Sequence, residues 1–242
     1  MRDLQLYVIT DRSVIGDKAL IHIVEAAIEG GAEVIQLRDK NVSARELVEI
    51  GKELRALCRD KGVLFIINDR PDVAVAIDCD GVHLGQDDLP IEAARRVVGP
   101  DRIIGVSTHS LDQAVRAQEQ GADYIGVGPI FATPTKKDYR PVGLKLILQI
   151  KEKLSIPFVA IGGINENNID EVIEAGAECV AVVRAVMGAE SPAKAARKLR
   201  EKISSFKKIA SADSELHTVK QCRFSPRSSA RRAGSTARSC KK

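Results

Sequence analysis

The sequence predicts a (β/α)8 barrel, and three observations carry that prediction. Apolar runs of five to seven residues alternate with segments of helical periodicity between residues 4 and 204. Eight such units fit within about 200 residues, the small end of the size range for a closed barrel. One phrase, an acid led in by glycine and alanine and followed by an apolar run, recurs as GGAEVI, QGADYI and EAGAECV, which marks units built on one plan. Strict alternation requires parallel strands joined by right-handed crossovers. A doubly wound open sheet satisfies the same alternation and is the competing architecture.

The elements follow in order. LQLYVIT (4–10) and AEVIQLR (32–38) carry the β-branched and aromatic residues that suit a buried strand. LFIIND (64–69) stops at Asn-Asp-Arg-Pro, which is turn chemistry. GVHLG (81–85), IIGVS (103–107) and YIGVG (124–128) are short apolar runs containing glycine, and FVAIGG (158–163) and CVAVV (179–183) complete the eight. Between them, ALIHIVEAAIEGG, SARELVEIGKELRALCRDKG and SLDQAVRAQEQGAD space their apolar residues at helical intervals. Each carries glycine just past the last apolar position, where a helix stops.

A chain of 242 residues, 44% hydrophobic and 29% charged, has an ordinary globular composition. No run approaches the roughly 18 apolar residues needed to span a bilayer, and MRDLQLYVITDR lacks a signal-peptide layout, so a cytoplasmic location is expected. The five cysteines, Cys58, Cys79, Cys179, Cys222 and Cys240, are widely spaced and never paired as C-x-x-C, which argues against a disulfide framework or a zinc site. Three of them are expected to be packed. The net charge of +4 is unevenly spread: residues 207–242 hold ten bases and two acids, residues 1–206 hold 27 bases and 31 acids. The expected organisation is therefore one barrel domain, 1–206, and a basic tail, 207–242, that lacks the apolar positions to order itself. The tail has no aromatic stacking platform, so no nucleic-acid partner is expected; a homo-oligomer is left open.

In a barrel the functional residues stand where each strand hands over to its helix. In QLRDK (36–40), Gln36, Arg38 and Lys40 alternate with Leu37 and Asp39 and so face one way. An amide, a guanidinium and an ammonium there suit a multi-oxygen anion, though a solvated strand end pairing with acids is an equal reading. Asn68 and Asp69 end the third strand, and Gln86, Asp87 and Asp88 follow the fourth. Neighbouring strands let Asp69 and Asp88 reach a shared point, while turn chemistry and a helix cap at Asp88 are the competing roles. A carboxylate about 5 Å from a polyphosphate charge is repelled by roughly 3 kcal/mol at an effective dielectric near 20. A cation between them removes that repulsion, and Mg2+ suits the donor set. His83, in mid-strand, is expected to be a packed residue with a hydrogen-bonded ring. In GPIFATPTKKD (128–138), Thr133, Thr135, Lys136 and Lys137 are donors for an anion, and Pro129 and Pro134 restrict the backbone; a plain surface loop is the alternative. Gly162, Gly163, Val183 and Arg184 end the last two strands, a frequent phosphate site in such barrels, with a tight turn as the other reading of the glycines.

With QLRDK, IND, GVHLGQDD, GVS, GPIFATPTKKD, AIGGI and AVVRAV in this order, residues 4–190 resemble the thiamine-phosphate synthase family. The resemblance implies a (β/α)8 transferase that joins hydroxymethylpyrimidine diphosphate to a thiazole phosphate, or its carboxylate form, with Mg2+, giving thiamine phosphate and pyrophosphate. By motif it makes Gln36, Arg38, Lys40 and Asn68 ligands of the pyrimidine diphosphate, with Leu37 and Asp39 in the same stretch and Ser107 near the pyrimidine. Asp69 and Asp88 match the metal ligands. Thr133, Pro134, Thr135, Gly163, Val183 and Arg184 match the thiazole-phosphate pocket, and Lys136 the lysine that bridges to the diphosphate. Arg38, Lys40, Ser107 and Lys136 are the implied catalytic set. The chain departs from the common Val-Ser pair at Val183-Arg184, and its basic tail lies outside the pattern. Two alternatives remain: a thiazole tautomerase-like relative on the same barrel, and a non-catalytic binding protein that uses the tail.

Overall fold

A computed structural model describes residues 4–16, 18–134 and 140–206 of the chain. The tail 207–242, together with Thr135, Lys136 and Lys137, lies outside the described residues. All eight expected strands are present: β1 (Leu6–Ile9), β2 (Val34–Leu37), β3 (Leu64–Asn68), β4 (Gly81–Leu84), β5 (Ile103–Thr108), β6 (Tyr124–Val127), β7 (Phe158–Ile161) and β8 (Cys179–Val182). They pair in parallel in sequence order, and β1 returns to β8 through the register Leu6↔Val180 and Val8↔Val182. That pairing closes the cylinder and excludes the open sheet.

Helices cover the outside: α1 (Leu20–Glu29), α2 (Ala44–Asp60), α3 (Pro71–Ala76), α4 (Ile91–Val98), α5 (Leu111–Glu119), α6 (Leu144–Lys153), α7 (Ile169–Glu174) and α8 (Arg184–Met187). A further helix, α9, runs over 192–206. Two of the starts are fixed by a capping serine. Ser43 caps α2 by accepting from the Glu46 N–H, and Ser110 caps α5 by accepting from Gln113. Among the described residues no helix is long and apolar enough to cross a membrane.

Alternation along the strands divides the apolar side chains into two cores. Val8, Ile35, Ile67, Val82, Ile125 and Val180 face outward and pack with the helices. Tyr7, Val34, Ile66, Tyr124, Val159 and Cys179 face inward and fill the cylinder. Each large side chain removed from water in this way contributes about 1.5–3 kcal/mol. The interior is tight around Tyr124: a Cβ at Gly105 on the neighbouring strand would stand 2.1 Å from its Cζ. Cys58, Cys79 and Cys179 are buried, as expected.

Acids just ahead of strands, among them Glu33 and Asp123 of the recurring phrase, have a definite job at the N-terminal end of the barrel. Glu33 accepts from the N–H groups of Gln5 and Leu6, Asp80 from Phe65 and Asp123 from Ile104, each carboxylate satisfying the start of the preceding strand. An arginine completes each: Arg200 on Glu33, Arg55 on Asp80 and Arg95 on Asp123. These clamps hold one end of the cylinder and leave the other for function.

Candidate active site

The C-terminal ends of the strands surround a cavity of about 330 Å³. Gln36, Arg38, Asn68, Ser107, Thr133, Pro134, Gly163, Val183 and Arg184 all line it, so residues far apart in sequence meet at one mouth. Gln36 is only 2% exposed, at the inner end of its row. Arg38 follows where β2 ends, its N–H bound by the hydroxyl of Thr10, which in turn donates to the Arg38 carbonyl. That buried threonine ties the Arg38 backbone to the end of β1.

Lys40, Asp69 and Asp88 form a charged cluster beside these residues. The Lys40 ammonium is 2.9 Å from an Asp69 oxygen. Asp69 stands at φ 61°, a left-handed conformation that Asp tolerates better than most residues, and its N–H donates to the His83 carbonyl. Burial works against ionisation of Asp69, yet its hydrogen bond with Asp88 and the Lys40 charge outweigh it, holding the carboxyl below its usual range. Burial and the neighbouring Asp69 push Asp88 the other way, upward. Asp88 also accepts the Gly85 N–H at 2.6 Å, whereas the residue that caps α4 is Pro90. Two carboxylates in contact need a proton or a cation between them, and this small set of hard oxygens fits Mg2+, which takes few carboxylates and fills its shell with water and phosphate oxygens. Among the described residues no cluster of three or more His, Cys, Asp or Glu suggests another metal site.

Two residues of the QLRDK stretch turn away from the cavity. Leu37 is packed in the outer core, and Asp39 accepts from Arg12 at 3.4 Å and from the Asn41 N–H. The period of two that directs Gln36 and Arg38 inward sends these side chains outward, so contacts from them to a ligand in the cavity would be through the backbone.

Across the ring, β7 ends in Gly162 and Gly163 at φ 105° and 67°. A Cβ at Gly162 would be 2.4 Å from the Pro129 Cα and one at Gly163 2.6 Å from the Ala132 carbonyl, so both positions need glycine. The loop after β6 is held against this turn by Ile130 N–H to Ile161 O and Phe131 N–H to Gly162 O. Asn165 and Asn168 both donate to the Gly163 carbonyl. In a trans peptide this turns the N–H of the same unit, that of Ile164, to the opposite side. Ile164, Val183 and Arg184 line the cavity here.

The structure adds residues to the site that the sequence did not single out. Tyr7, Tyr124 and His109 line the cavity, and His83 has the hydrogen-bonded ring expected of it while also forming cavity wall. His109 is held through Nδ1 on the Gly128 carbonyl and through its backbone N–H, which donates to Gln113 Oε1. The available signal was a hydroxyl or imidazole at an inward position of an otherwise apolar strand, as in LQLYVIT and GVHLG.

A closed parallel barrel with a cavity at its C-terminal mouth, where polar side chains from several strands converge on an apolar wall, defines the class: a (β/α)8-barrel enzyme. Residues 6–186 match the family model described as thiamine monophosphate synthase, and the chain belongs to that family. It is 52% identical over 201 residues to the thiamine-phosphate synthase of Roseiflexus sp. (strain RS-1), covering 83% of this chain and 85% of that protein. Identity to the thiamine-phosphate synthase of Chloroflexus aurantiacus is 50% over 203 residues, covering 84% and 94%. Among solved structures, the thiamine phosphate pyrophosphorylase from Pyrococcus furiosus superposes with a TM-score of 0.79 at 48% identity, covering 84% of this chain and 97% of that one.

Proposed function

We propose that this enzyme condenses hydroxymethylpyrimidine diphosphate with thiazole phosphate to give thiamine phosphate and pyrophosphate, with Mg2+ as cofactor. One observation supports the reading beyond family membership: the mouth has two unlike sides suited to anions, the Arg38–Lys40–Asp69–Asp88 group at the ends of β2 to β4 and the glycine-rich turn with Val183 and Arg184 at the ends of β7 and β8. A reaction between a diphosphate and a phosphate ester needs two such places.

In this reading Gln36, Asn68 and Ser107 hold the pyrimidine, and Arg38 and Lys40 grip its diphosphate. Asp69 and Asp88 would hold Mg2+, which when bound neutralises charge on the diphosphate. The bond between the pyrimidine methylene carbon and the diphosphate oxygen breaks, its electron pair leaves with pyrophosphate, and the thiazole nitrogen supplies the pair for the new carbon–nitrogen bond. Arg38, Lys40 and Lys136 stabilise the charge gathering on the leaving group. Thr133, Thr135, Gly163, Val183 and Arg184 hold the thiazole phosphate, with Pro134 shaping the loop, so that the nitrogen faces the methylene carbon. The buried thiols suit a reducing compartment, and we place the enzyme in the cytoplasm.

The deciding experiment is pyrophosphate release with both substrates, with and without Mg2+. The wild type should turn over only with the metal, and Asp69→Ala and Asp88→Ala should each lose metal-dependent release. Near-normal activity in both variants would remove the metal assignment, and no release from the wild type would remove the reaction.

A further inference from the structure

Under the mouth, five side chains from five strands join end to end. Gln36 Nε2 on β2 donates to Tyr7 Oη on β1 at 2.7 Å, and Tyr7 Oη is 3.0 Å from Tyr124 Oη on β6. Tyr124 Oη is 2.9 Å from His83 Nδ1 on β4, and His83 Nε2 is 2.9 Å from Ser107 Oγ on β5. Gln36 and Ser107, the two ends, are the residues placed against the pyrimidine.

Space has been left for this row. Tyr7 and Tyr124 are 1% and 0% exposed. The Tyr124 ring fills the volume that a side chain at Gly105 would need, and a Cβ at Gly126 would be 3.2 Å from His83 Cε1. Burial drives both phenol pKa values upward, so each hydroxyl keeps its single hydrogen. A chain of such groups can run in one of two directions, and one end sets all the rest. With the Gln36 NH2 donating to Tyr7, the Tyr7 hydrogen goes to Tyr124 and the Tyr124 hydrogen to His83 Nδ1. His83 then carries its proton on Nε2 and donates to Ser107. The Ser107 oxygen is thereby an acceptor inside the chain, and its own hydrogen is released toward the cavity.

We propose that Tyr7, Tyr124 and His83 are positioning residues that form a one-way hydrogen-bond chain, fixing His83 as the Nε2–H tautomer and presenting the Gln36 side-chain oxygen Oε1 and the Ser107 hydroxyl hydrogen to the pyrimidine substrate. The chain acts on the ligand through its two ends. Its benefit is preorganisation: the acceptor at one side of the cavity and the donor at the other are set before the substrate arrives. The substrate assignment rests on the proposed function, whereas the direction of the chain does not.

Two measurements on the full chain separate these layers. Imidazole 15N–1H correlation spectra of histidine-labelled protein, with the His83 signals identified by their loss in His83→Gln, should show a neutral ring protonated on Nε2. Tyr124→Phe should move the Nδ1 resonance and mix the tautomers. In pyrophosphate release, Tyr124→Phe and Tyr7→Phe should lower kcat/KM for the pyrimidine diphosphate roughly three- to tenfold, about one neutral hydrogen bond's worth, with KM for the thiazole phosphate unchanged. His83→Gln, whose amide nitrogen can donate where Nε2 does, should keep more activity than His83→Leu. A wild-type His83 protonated on Nδ1 overturns the direction of the chain. Unchanged spectra and kinetics in Tyr124→Phe, or equal losses for both substrates, overturn the positioning role. If wild-type protein releases no pyrophosphate from these substrates, the proposed function fails while the spectra still decide the chain.

Discussion

Removing the Asp80 carboxylate should weaken the fold and spare the chemistry. Asp80 Oδ2 accepts the Phe65 N–H at 2.7 Å and a guanidinium N–H of Arg55 at 2.9 Å. The two side chains are 25% and 16% exposed, and the Arg55 Nε is buried with no hydrogen-bond partner of its own among the described residues. Asp80→Ala therefore strands a backbone donor on the fully buried Phe65, costing about 1–3 kcal/mol. It also leaves a largely buried guanidinium unpaired, a loss of 3–5 kcal/mol for a fully buried pair but less here, where solvent reaches Asp80. A combined loss of about 3 kcal/mol is expected, which lowers Tm by roughly 6–12 °C for a domain of this size. Asp80→Asn, which keeps an oxygen for one of the two donors, should lose about half as much. The chain has no tryptophan, so circular dichroism or calorimetry is the suitable probe. Asp80 precedes β4, at the end of the cylinder away from the cavity, so kcat and KM at 25 °C should match wild type. A Tm within a degree of wild type, or a kinetic defect without a stability defect, would refute the division of the barrel into a clamped end and a working end.

Other variants probe the site and the termini. Lys136→Ala should depress kcat more than it weakens thiazole phosphate binding; the reverse split makes it a binding residue. Deleting residues 207–242, which lie beyond the family match ending at residue 186, should leave turnover unchanged, and a loss of turnover would give the tail a catalytic part. Burial pushes the Cys58 thiol up to about 12 and Cys79 up to about 11. A raised thiol pKa means little thiolate at pH 8. Mass spectrometry after iodoacetamide treatment should find both unmodified in native protein and modified in urea, and rapid labelling of either in the native state would contradict their burial.

Local signals carried much of the architecture. An apolar run must be shielded on both faces when the strand is parallel and central, so its length and its flanking glycines were readable without neighbours. The acid in GGAEVI and QGADYI was visible as a recurring letter, but its reason, an orphan N–H on the previous strand, needed that strand beside it. The same limit explains Leu37 and Asp39: a motif marks a stretch of backbone, and only the pleat says which of its side chains enter the cavity.

The sequence by itself determined the eight βα units, their order, and the end of the cylinder where Arg38, Asn68, Ser107 and Gly163 would gather, because strand period, turn chemistry and glycine requirements act over a few residues. Only the tertiary structure decided that Asp69 and Asp88 touch and that Tyr7 bonds Tyr124 across 117 positions of chain. Such contacts depend on closing the ring: until β1 meets β8, nothing in the spacing of letters tells inward neighbours from strangers.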